Sequence, residues 1–503
     1  MHRSLHVSSD SVSSRSTIAL LWGVGGSVGK IAGQLLVQIT LARILDPVAF
    51  GQYAAVLAVV GLGYILADAG FGSALVQKEK LDSSDISLAL GWSLLFASTL
   101  ALLMIVLAPL LAHQFGDASL EPMFQACALL IPFQIVLNLS SSLLRRELHM
   151  RGMQIIQVIS YTVFFGGVAT TLAILGWGVW SLVAGFAAQT LFSLLATYSL
   201  ARHTLRPRLS GDRSLIYFGL KSLGNELTNW SMDNLDRFLV GKLWGVFSLG
   251  LYSVAFNLSK APSGLLISTA QSIAFASASR LNGNIAAVRK GFLVVMAAIA
   301  LATLPAFALV AFESETVLHI VYGTKWIKAA PYMTALALSI PLLSMGAITA
   351  AILRGTGAVG TELAITVISA IVLFGSFLIL RGESLTVAVW TVPLAYLVRF
   401  TLLVAAIKNR LQLHITDLLS AFRGPFVLAL AGVFVTALLH DLPQVASIGM
   451  GIVPPLAGCC AIVLLLLTRF TWFLGSPLST MIREKFSTGR LGSTIAWLER
   501  GKH

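Results

Sequence analysis

The sequence predicts an all-α integral membrane protein of about fourteen transmembrane helices built on an internal six-helix repeat. Three observations carry that expectation. Apolar runs of about twenty residues recur along the chain, basic residues collect on one side of those runs, and a punctuated stretch after the first run returns 199 residues later.

Hydropathy gives the span count. Of the 503 residues, 57% are hydrophobic and 11% charged, and the mean hydropathy is +0.86. Ordinary globular domains are roughly a quarter charged, so this chain lacks the polar surface to cover a soluble body of its length. The expected spans are 18–44, 49–75, 86–112, 121–144, 154–175, 178–201, 213–240, 246–272, 288–312, 329–353, 360–380, 385–407, 421–440 and 447–470. The first run starts near Ile18 and continues without an A-x-A cleavage pattern, which reads as a retained helix and not a signal peptide.

Charge gives the orientation. With the N-terminus placed in the cytoplasm, 24 Lys and Arg fall on the inner side, including Arg145, Arg146, Arg151, Arg202, Arg206 and Arg208. The outer side holds four: Lys242, Lys325, Lys328 and Arg381. That asymmetry is the positive-inside pattern, and it places both termini in the cytoplasm. It also accounts for the net charge of +13 without nucleic acid as a partner. The basic tail after Thr471 includes Phe486, Ile495, Trp497 and Leu498, a mixture suited to the anionic surface of membrane lipids or to a simple solvated end.

The repeat gives the architecture. "LARILDPVAFGQYAAV" (41–56) is answered by "VGKLWGVFSLGLYSVA" (240–255), so that Arg43, Gly51 and Tyr53 correspond to Lys242, Gly250 and Tyr252. The offset spans six helices, an even number, so both copies keep one orientation, as in transporters built from parallel repeats. The break falls in the basic loop "RHTLRPRLSGDR" (202–213). The expected division is therefore 1–208 for helices 1–6, 209–410 for helices 7–12, 411–470 for two further helices and 471–503 for the tail.

The same shift exposes candidate site residues. Ser27, Lys30, Gln34 and Gln38 lie at i, i+3, i+7 and i+11, one stripe of a helix. They correspond to Glu226, Asn229, Asp233 and Arg237, so every polar member has a polar counterpart. Gly25, Gly29 and Gly33 occupy another face in a small-xxx-small pattern that suits close helix packing. A charge near the bilayer centre costs roughly 2.5–3.5 kcal/mol on insertion scales, so paired polar stripes point to a hydrated cavity between the halves. Lys30, Gln34, Gln38, Asn229, Asp233 and Arg237 are its candidate lining, with Asn257 and Lys260 added from helix 8. Its cations would favour a substrate that carries phosphates or acidic sugars.

Structural alternatives stand beside each residue. Lys30 could pair with a buried carboxylate, and Asp233 with Arg237 at i, i+4 in the favourable order. Arg43 and Lys242 are candidates for the outer rim of the cavity or for snorkelling to the interface. Glu226, alone in mid-span, is a candidate ion-coupling residue, with Asp68 second, although Asp68 beside Gly70 and Gly72 equally suits a structural role. Tyr53 and Tyr252 are expected at the membrane–water interface, and Arg399 there or near the cavity. No catalytic constellation or metal spacing is present, and no cofactor is expected: the nine His are scattered, and Cys127, Cys459 and Cys460 lie in apolar runs. "GVGGSVGK" (23–30) imitates a phosphate loop, but Val24 stands where its first Gly belongs and Ile31 where Ser or Thr should hold magnesium.

Several stretches in order carry a resemblance: "LARILDPVAFGQYAAV", "ADAGFGSALVQ", "LLRRELHMRGM", "WGVWSLVAG", "RPRLS" and "DNLDRFLVGKLWGVFSLGLYSVAFNLSKAP". From about residue 20 to 280 the chain resembles the polysaccharide transporter family, the Wzx-type oligosaccharide flippases of the multidrug/oligosaccharidyl-lipid/polysaccharide exporter superfamily. Beyond that, hydropathy and "VYGTKW" support it. The resemblance implies two six-helix lobes around a central cavity plus two C-terminal helices. It implies translocation of an undecaprenyl-diphosphate-linked oligosaccharide across the bacterial inner membrane for lipopolysaccharide O-antigen, capsule or exopolysaccharide. A glycan polymerase and the export machinery of that pathway are the implied partners. Two rivals remain: a drug or cation antiporter of the same superfamily, and a membrane glycan polymerase or ligase, against which the short outer loops argue.

Overall fold

The computed structural model describes residues 29–78, 81–210, 213–280, 284–440 and 453–468; the side chains of Asn229 and Asp233 lie outside that description. The first part of span 18–44, both ends of span 447–470 and the basic tail 471–503 likewise lie outside the described residues. Among those described, the regular elements are all helical. They are α1 (29–44), α2 (Pro47–Asp68), α3 (Phe71–Gln77), α4 (Ser83–Gln114), α5 (Leu120–Ala128) and α6 (Ile131–Arg146). Then come α7 (Met150–Ile159), a π-helical segment (Ser160–Phe165), α8 (Gly166–Ile174), α9 (Val179–Ala201) and the long run α10 (Arg213–Arg280). The remainder are α11 (Ile285–Phe312), α12 (Ser314–Val321), a 3₁₀ turn (Thr324–Ala329), α13 (Ala330–Gly355), α14 (Val359–Ile379), α15 (Leu385–Ala388), α16 (Thr391–Lys408), α17 (Ile415–His440) and α18 (Val453–Thr468).

The chain is an all-helical, multi-span membrane protein. Ten described segments are long and apolar enough to cross a bilayer, and eleven if α5 and α6, bent by 43°, form one span. Each of the fourteen expected spans contains helix, but three, at 18–44, 213–240 and 447–470, do not reach that length and apolarity within the described residues. Two compact units divide the chain, Met1–Ser253 and Val254–His503. The first unit extends past the repeat boundary near residue 208 and takes in the early part of α10.

In the first unit, local chemistry explains the punctuation of the repeated stretch. Asp46 ends α1 and caps α2: its carboxylate accepts from the Ala49 amide at 2.8 Å, and Pro47 sits at the first helical position, where its missing N–H costs nothing. The corresponding break in α10 falls at Gly245, whose φ of 79° is open to glycine without strain. Gly51 and Gly250 then meet at a helix crossing. A Cβ on Gly51 would strike the Val246 carbonyl and lie 2.9 Å from the Gly250 nitrogen. A Cβ on Gly250 would strike the Pro47 carbonyl and lie 3.0 Å from the Gly51 nitrogen. Pro47 and Val246 are themselves 199 apart, so the crossing is related to itself by the sequence repeat.

Loops of this unit are anchored by hydrogen bonds. Arg146 donates to the carbonyls of Leu75, Val76 and Lys78, satisfying the exposed C-terminal end of α3. In the basic loop the Arg208 amide donates to the Ser87 carbonyl at 2.9 Å, and the Trp92 indole donates to the Leu209 carbonyl at 3.2 Å. His203 is buried, with Nε2 2.9 Å from the Ser140 hydroxyl and Nδ1 3.0 Å from the Thr204 carbonyl. Burial pushes its imidazole pKa below the usual range, with the Thr204 contact opposing.

The second unit has an apolar core of its own. Phe292, Met296, Ile348, Ala351, Leu353, Leu403 and Ile407 pack where α11, α13 and α16 meet. Glu362, nearly buried at the start of α14, receives Arg354 at 3.1 Å and stands 3.8 Å from Arg399. Arg399 also donates to Thr366 at 3.3 Å, so it is held inside this unit by an acid and a hydroxyl and is not simply an interfacial residue.

Candidate functional site

A polar cavity of about 280 Å³ opens inside the first unit. Four walls form it: Lys30 and Gln34 from α1, Leu137 and Ser141 from α6, Met153, Ile156, Gln157, Ser160 and Tyr161 from α7 and the π segment, and Gln189, Ser193 and Thr197 from α9. The spacing follows from helix geometry. Lys30 and Gln34 are one turn apart, as are Gln189, Ser193 and Thr197, so each helix presents one polar stripe to the same space. The π segment begins where the chain supplies Ser160 and Tyr161; such segments widen a helix locally and often mark functional sites.

Close packing of α1 on its neighbour supports this wall. Gly29 lies opposite Val158, and a Cβ on Gly33 would run into Thr162. The small-xxx-small face of α1 therefore rests on α7 and the π segment, while its polar stripe turns to the cavity.

The electrostatics are simple. Lys30 donates to the amide oxygen of Gln157 at 3.2 Å, and no carboxylate lies within ion-pairing distance of it among the described residues. Gln34, Gln189, Ser193 and Thr197 make no side-chain hydrogen bond among the described residues. Buried polar groups are ordinarily satisfied, and in a membrane protein the unsatisfied ones must meet water or a ligand. The described lining of the cavity thus brings together amides, hydroxyls and one cation with the apolar Leu137, Met153 and Ile156, and holds no acidic side chain. Gln38, one turn further along α1, has a buried Nε2 without a partner among the described residues.

A second polar cluster lies at the end of α2. Asp68 accepts from Asn138 Nδ2 at 2.7 Å and from the Gly70 and Gly72 amides, which ties the α2–α3 corner together. Arg145 and Glu226 are within electrostatic reach of it and of each other. Asp68 is therefore a corner-forming residue, whereas Glu226 is half-buried beside two charges.

The other candidates fall as follows. Arg43 and Lys242 are exposed, and Arg237 is half-buried. Lys260, in the second unit, stands 5.1 Å above the Phe256 ring, and Asn257 lies one turn before it. For Tyr252 the interface expectation needs correction: it is fully buried and donates to Asp236 Oδ2 at 2.5 Å. The inward-turned phenol is one of the donors to this buried carboxylate, which also accepts from the Arg237 amide at 2.8 Å. Tyr53 is half-buried and packs against Phe165, ring centroids 6.2 Å apart.

Gln157, Gln189, Ser193, Tyr161 and Asp236 are residues that sequence reasoning did not single out. Gln189, Ser193 and Thr197 carry a signal that was there to be found, a polar i, i+4, i+8 stripe in an otherwise apolar span. Asp236 was hidden by its neighbours Asp233 and Arg237, whose i, i+4 spacing looked self-sufficient.

Comparison with known proteins gives the family and the fold. The family described as polysaccharide biosynthesis protein matches residues 40–331. The succinoglycan biosynthesis transport protein ExoT of Rhizobium meliloti (strain 1021) is 26% identical over 339 residues, 67% of this chain and 68% of that protein. Among solved structures, the lipid II flippase MurJ in an inward closed conformation superposes with a TM-score of 0.71 at 15% identity, covering 92% of this chain and 99% of that one. An inward-facing multidrug resistance MATE family transporter of the MOP superfamily superposes with a TM-score of 0.59 at 16% identity, covering 76% and 95%. The fold is that of this exporter superfamily.

Proposed function

Because the chain belongs to the polysaccharide biosynthesis protein family, we propose that it translocates a polyprenyl-diphosphate-linked oligosaccharide from the inner to the outer leaflet of the bacterial cytoplasmic membrane. The observation that carries this reading is the membrane-embedded cavity with Lys30 and four open amide and hydroxyl side chains. A lipid-linked glycan divides naturally in such a protein. The polyprenyl tail stays in the bilayer, while the diphosphate and sugars need a hydrated path with positive charge. The cavity walls support the direction of entry. Met153 lies in the first turn of α7, close after the basic end of α6, and Thr197 lies about one turn before the end of α9 and the basic loop, so the chamber lies toward the end that charge sorting assigns to the cytoplasm.

Alternating opening of the two repeat-related lobes, 1–208 and 209–410, would carry the head group across. Gln38, Asn229, Asp233, Arg237, Asn257 and Lys260 are the further residues proposed along its path, with Arg43 and Lys242 at the outer rim and Glu226 as the coupling group. A Lys in a cavity whose described lining holds no acid disfavours the drug or cation antiporter reading.

The test is genetic. In a strain whose own copy is deleted, Lys30→Ala should abolish surface glycan while the protein still inserts at the wild-type level. Wild-type surface glycan from that variant would overturn the cationic-path reading.

A further inference from the structure

The chemistry of the cavity wall is more specific than a general anion path requires. Phosphate sites concentrate Arg, Lys and backbone N–H groups on the ligand, yet this wall has one cation against three Gln side chains and four hydroxyls from Ser and Thr. Primary amides both donate and accept, and hydroxyls do the same, which matches the vicinal hydroxyl groups of a sugar ring. Tyr161, whose ring stacks on Phe165 with centroids 4.9 Å apart, adds aromatic surface to the lining, which suits the apolar side of a pyranose. The volume, about 280 Å³, lies just below the usual range of small-ligand pockets, roughly 300–1,000 Å³, which leaves room for about one or two sugar rings and not a whole repeating unit.

We propose that this chamber is a saccharide subsite that seats the one or two sugars nearest its opening, with Lys30, besides its place on the cationic path, available to an acidic substituent on that sugar. The inference rests on the translocation reading above and adds where the glycan, as distinct from the diphosphate, is recognised. Lys30 is suited to the role because its present partner is a neutral amide: an incoming carboxylate would exchange an ion–dipole contact for a charge-assisted pair. Gln157 would then be released to bind hydroxyls. Gln34, Gln189, Ser193 and Thr197 need no such release, since they already lack side-chain partners among the described residues.

The test uses the full chain in lipid nanodiscs with three defined probes: undecaprenyl diphosphate, the same lipid bearing one glucose, and the same lipid bearing one glucuronate. Binding is read by native mass spectrometry for wild type, Gln34→Leu, Gln189→Leu and Lys30→Gln. Wild type should prefer both sugar-bearing probes to the bare lipid. Gln34→Leu and Gln189→Leu should each lose about tenfold on the sugar-bearing probes and little on the bare one, since one unpaired hydrogen-bonding contact corresponds to about that factor. Lys30→Gln should remove the preference for glucuronate over glucose while keeping glucose binding. A second measurement covers misfolding of the Leu variants: the thiol introduced by Ser193→Cys should react with maleimide in the empty protein and be shielded by the sugar-bearing probes but not by the bare lipid. Sugar preference that survives both Gln variants, together with a thiol left unshielded in the Ser193→Cys variant, overturns the subsite while leaving translocation standing. Failure of wild type to bind any of the three lipids counts against the translocation reading itself.

Discussion

Gly51 and Gly250 stand face to face, each occupying the space that the other's Cβ would need. Backbone, and not a yielding side chain, closes both sides of this contact, so an added side chain must push the two helices apart. Gly51→Val and Gly250→Val should each destabilise the protein by about 1–3 kcal/mol, the usual cost of overpacking. The double variant should cost less than the sum, because one opened crossing accommodates both side chains. Thermal unfolding of the detergent-solubilised protein measures all three. Strictly additive losses would mean that the two glycines do not share one contact.

Asp236 depends on Tyr252. The carboxylate is 3% exposed, and the Tyr252 hydroxyl donates to it at 2.5 Å. Tyr252→Phe should cost about 1.5–3 kcal/mol, the range for a hydrogen bond to a charged group. Tyr53→Phe, its repeat counterpart with no such bond among the described residues, should change little. Equal midpoints for the two variants would remove the distinction.

Glu362 faces two cations, Arg354 at 3.1 Å and Arg399 at 3.8 Å, and Arg399 is the more buried of them, its side chain 16% exposed against 35%. Glu362→Leu should destabilise by about 3–5 kcal/mol through the stranded guanidinium, whereas Glu362→Leu with Arg399→Leu should recover most of that loss. If the double variant is no better than the single, the pair is not the source of the cost.

His203 makes the basic loop sensitive to acid. Its pKa is lowered in the fold by burial, so the neutral ring is the stabilising form. That contribution is fully present above the unfolded value of about 6.5 and is lost as pH falls through the lowered folded value. Limited proteolysis in the 202–210 loop should therefore accelerate on acidification, and His203→Gln should flatten the pH response. A loop that loosens instead as pH rises would contradict the assignment.

How much of this was legible in the sequence differs residue by residue. The helices were readable because each must supply about twenty apolar residues whatever it packs against. The repeat was readable because Gly51 and Gly250 are fixed by a backbone contact that tolerates no other side chain. The polar stripe of α1 is periodic in the sequence, and Lys30 and Gln34 line a chamber inside the first unit whose described lining includes none of their α10 counterparts. What periodicity within one helix cannot show is which other helix brings the facing groups. Gln157 and Ser141 are polar residues on separate helices, and only tertiary packing puts them beside Lys30. Nor does local pattern distinguish a Tyr at the interface from one turned inward, which is why Tyr252 was misplaced until its partner Asp236 was seen. The π segment at Ser160 is equally silent in sequence, since its residues would fit an α-helix.

The most direct measurement of the central claim is transbilayer movement in a defined system. The purified protein is reconstituted into liposomes carrying a fluorescently tagged undecaprenyl-diphosphate-linked oligosaccharide, and a membrane-impermeant quencher reports which leaflet holds the tag. Wild type should make the inner-leaflet pool accessible well above the protein-free rate, and Lys30→Ala, folded and inserted alike, should fall back to it. Wild-type liposomes whose tagged glycolipid stays as slow as in protein-free vesicles would contradict the account.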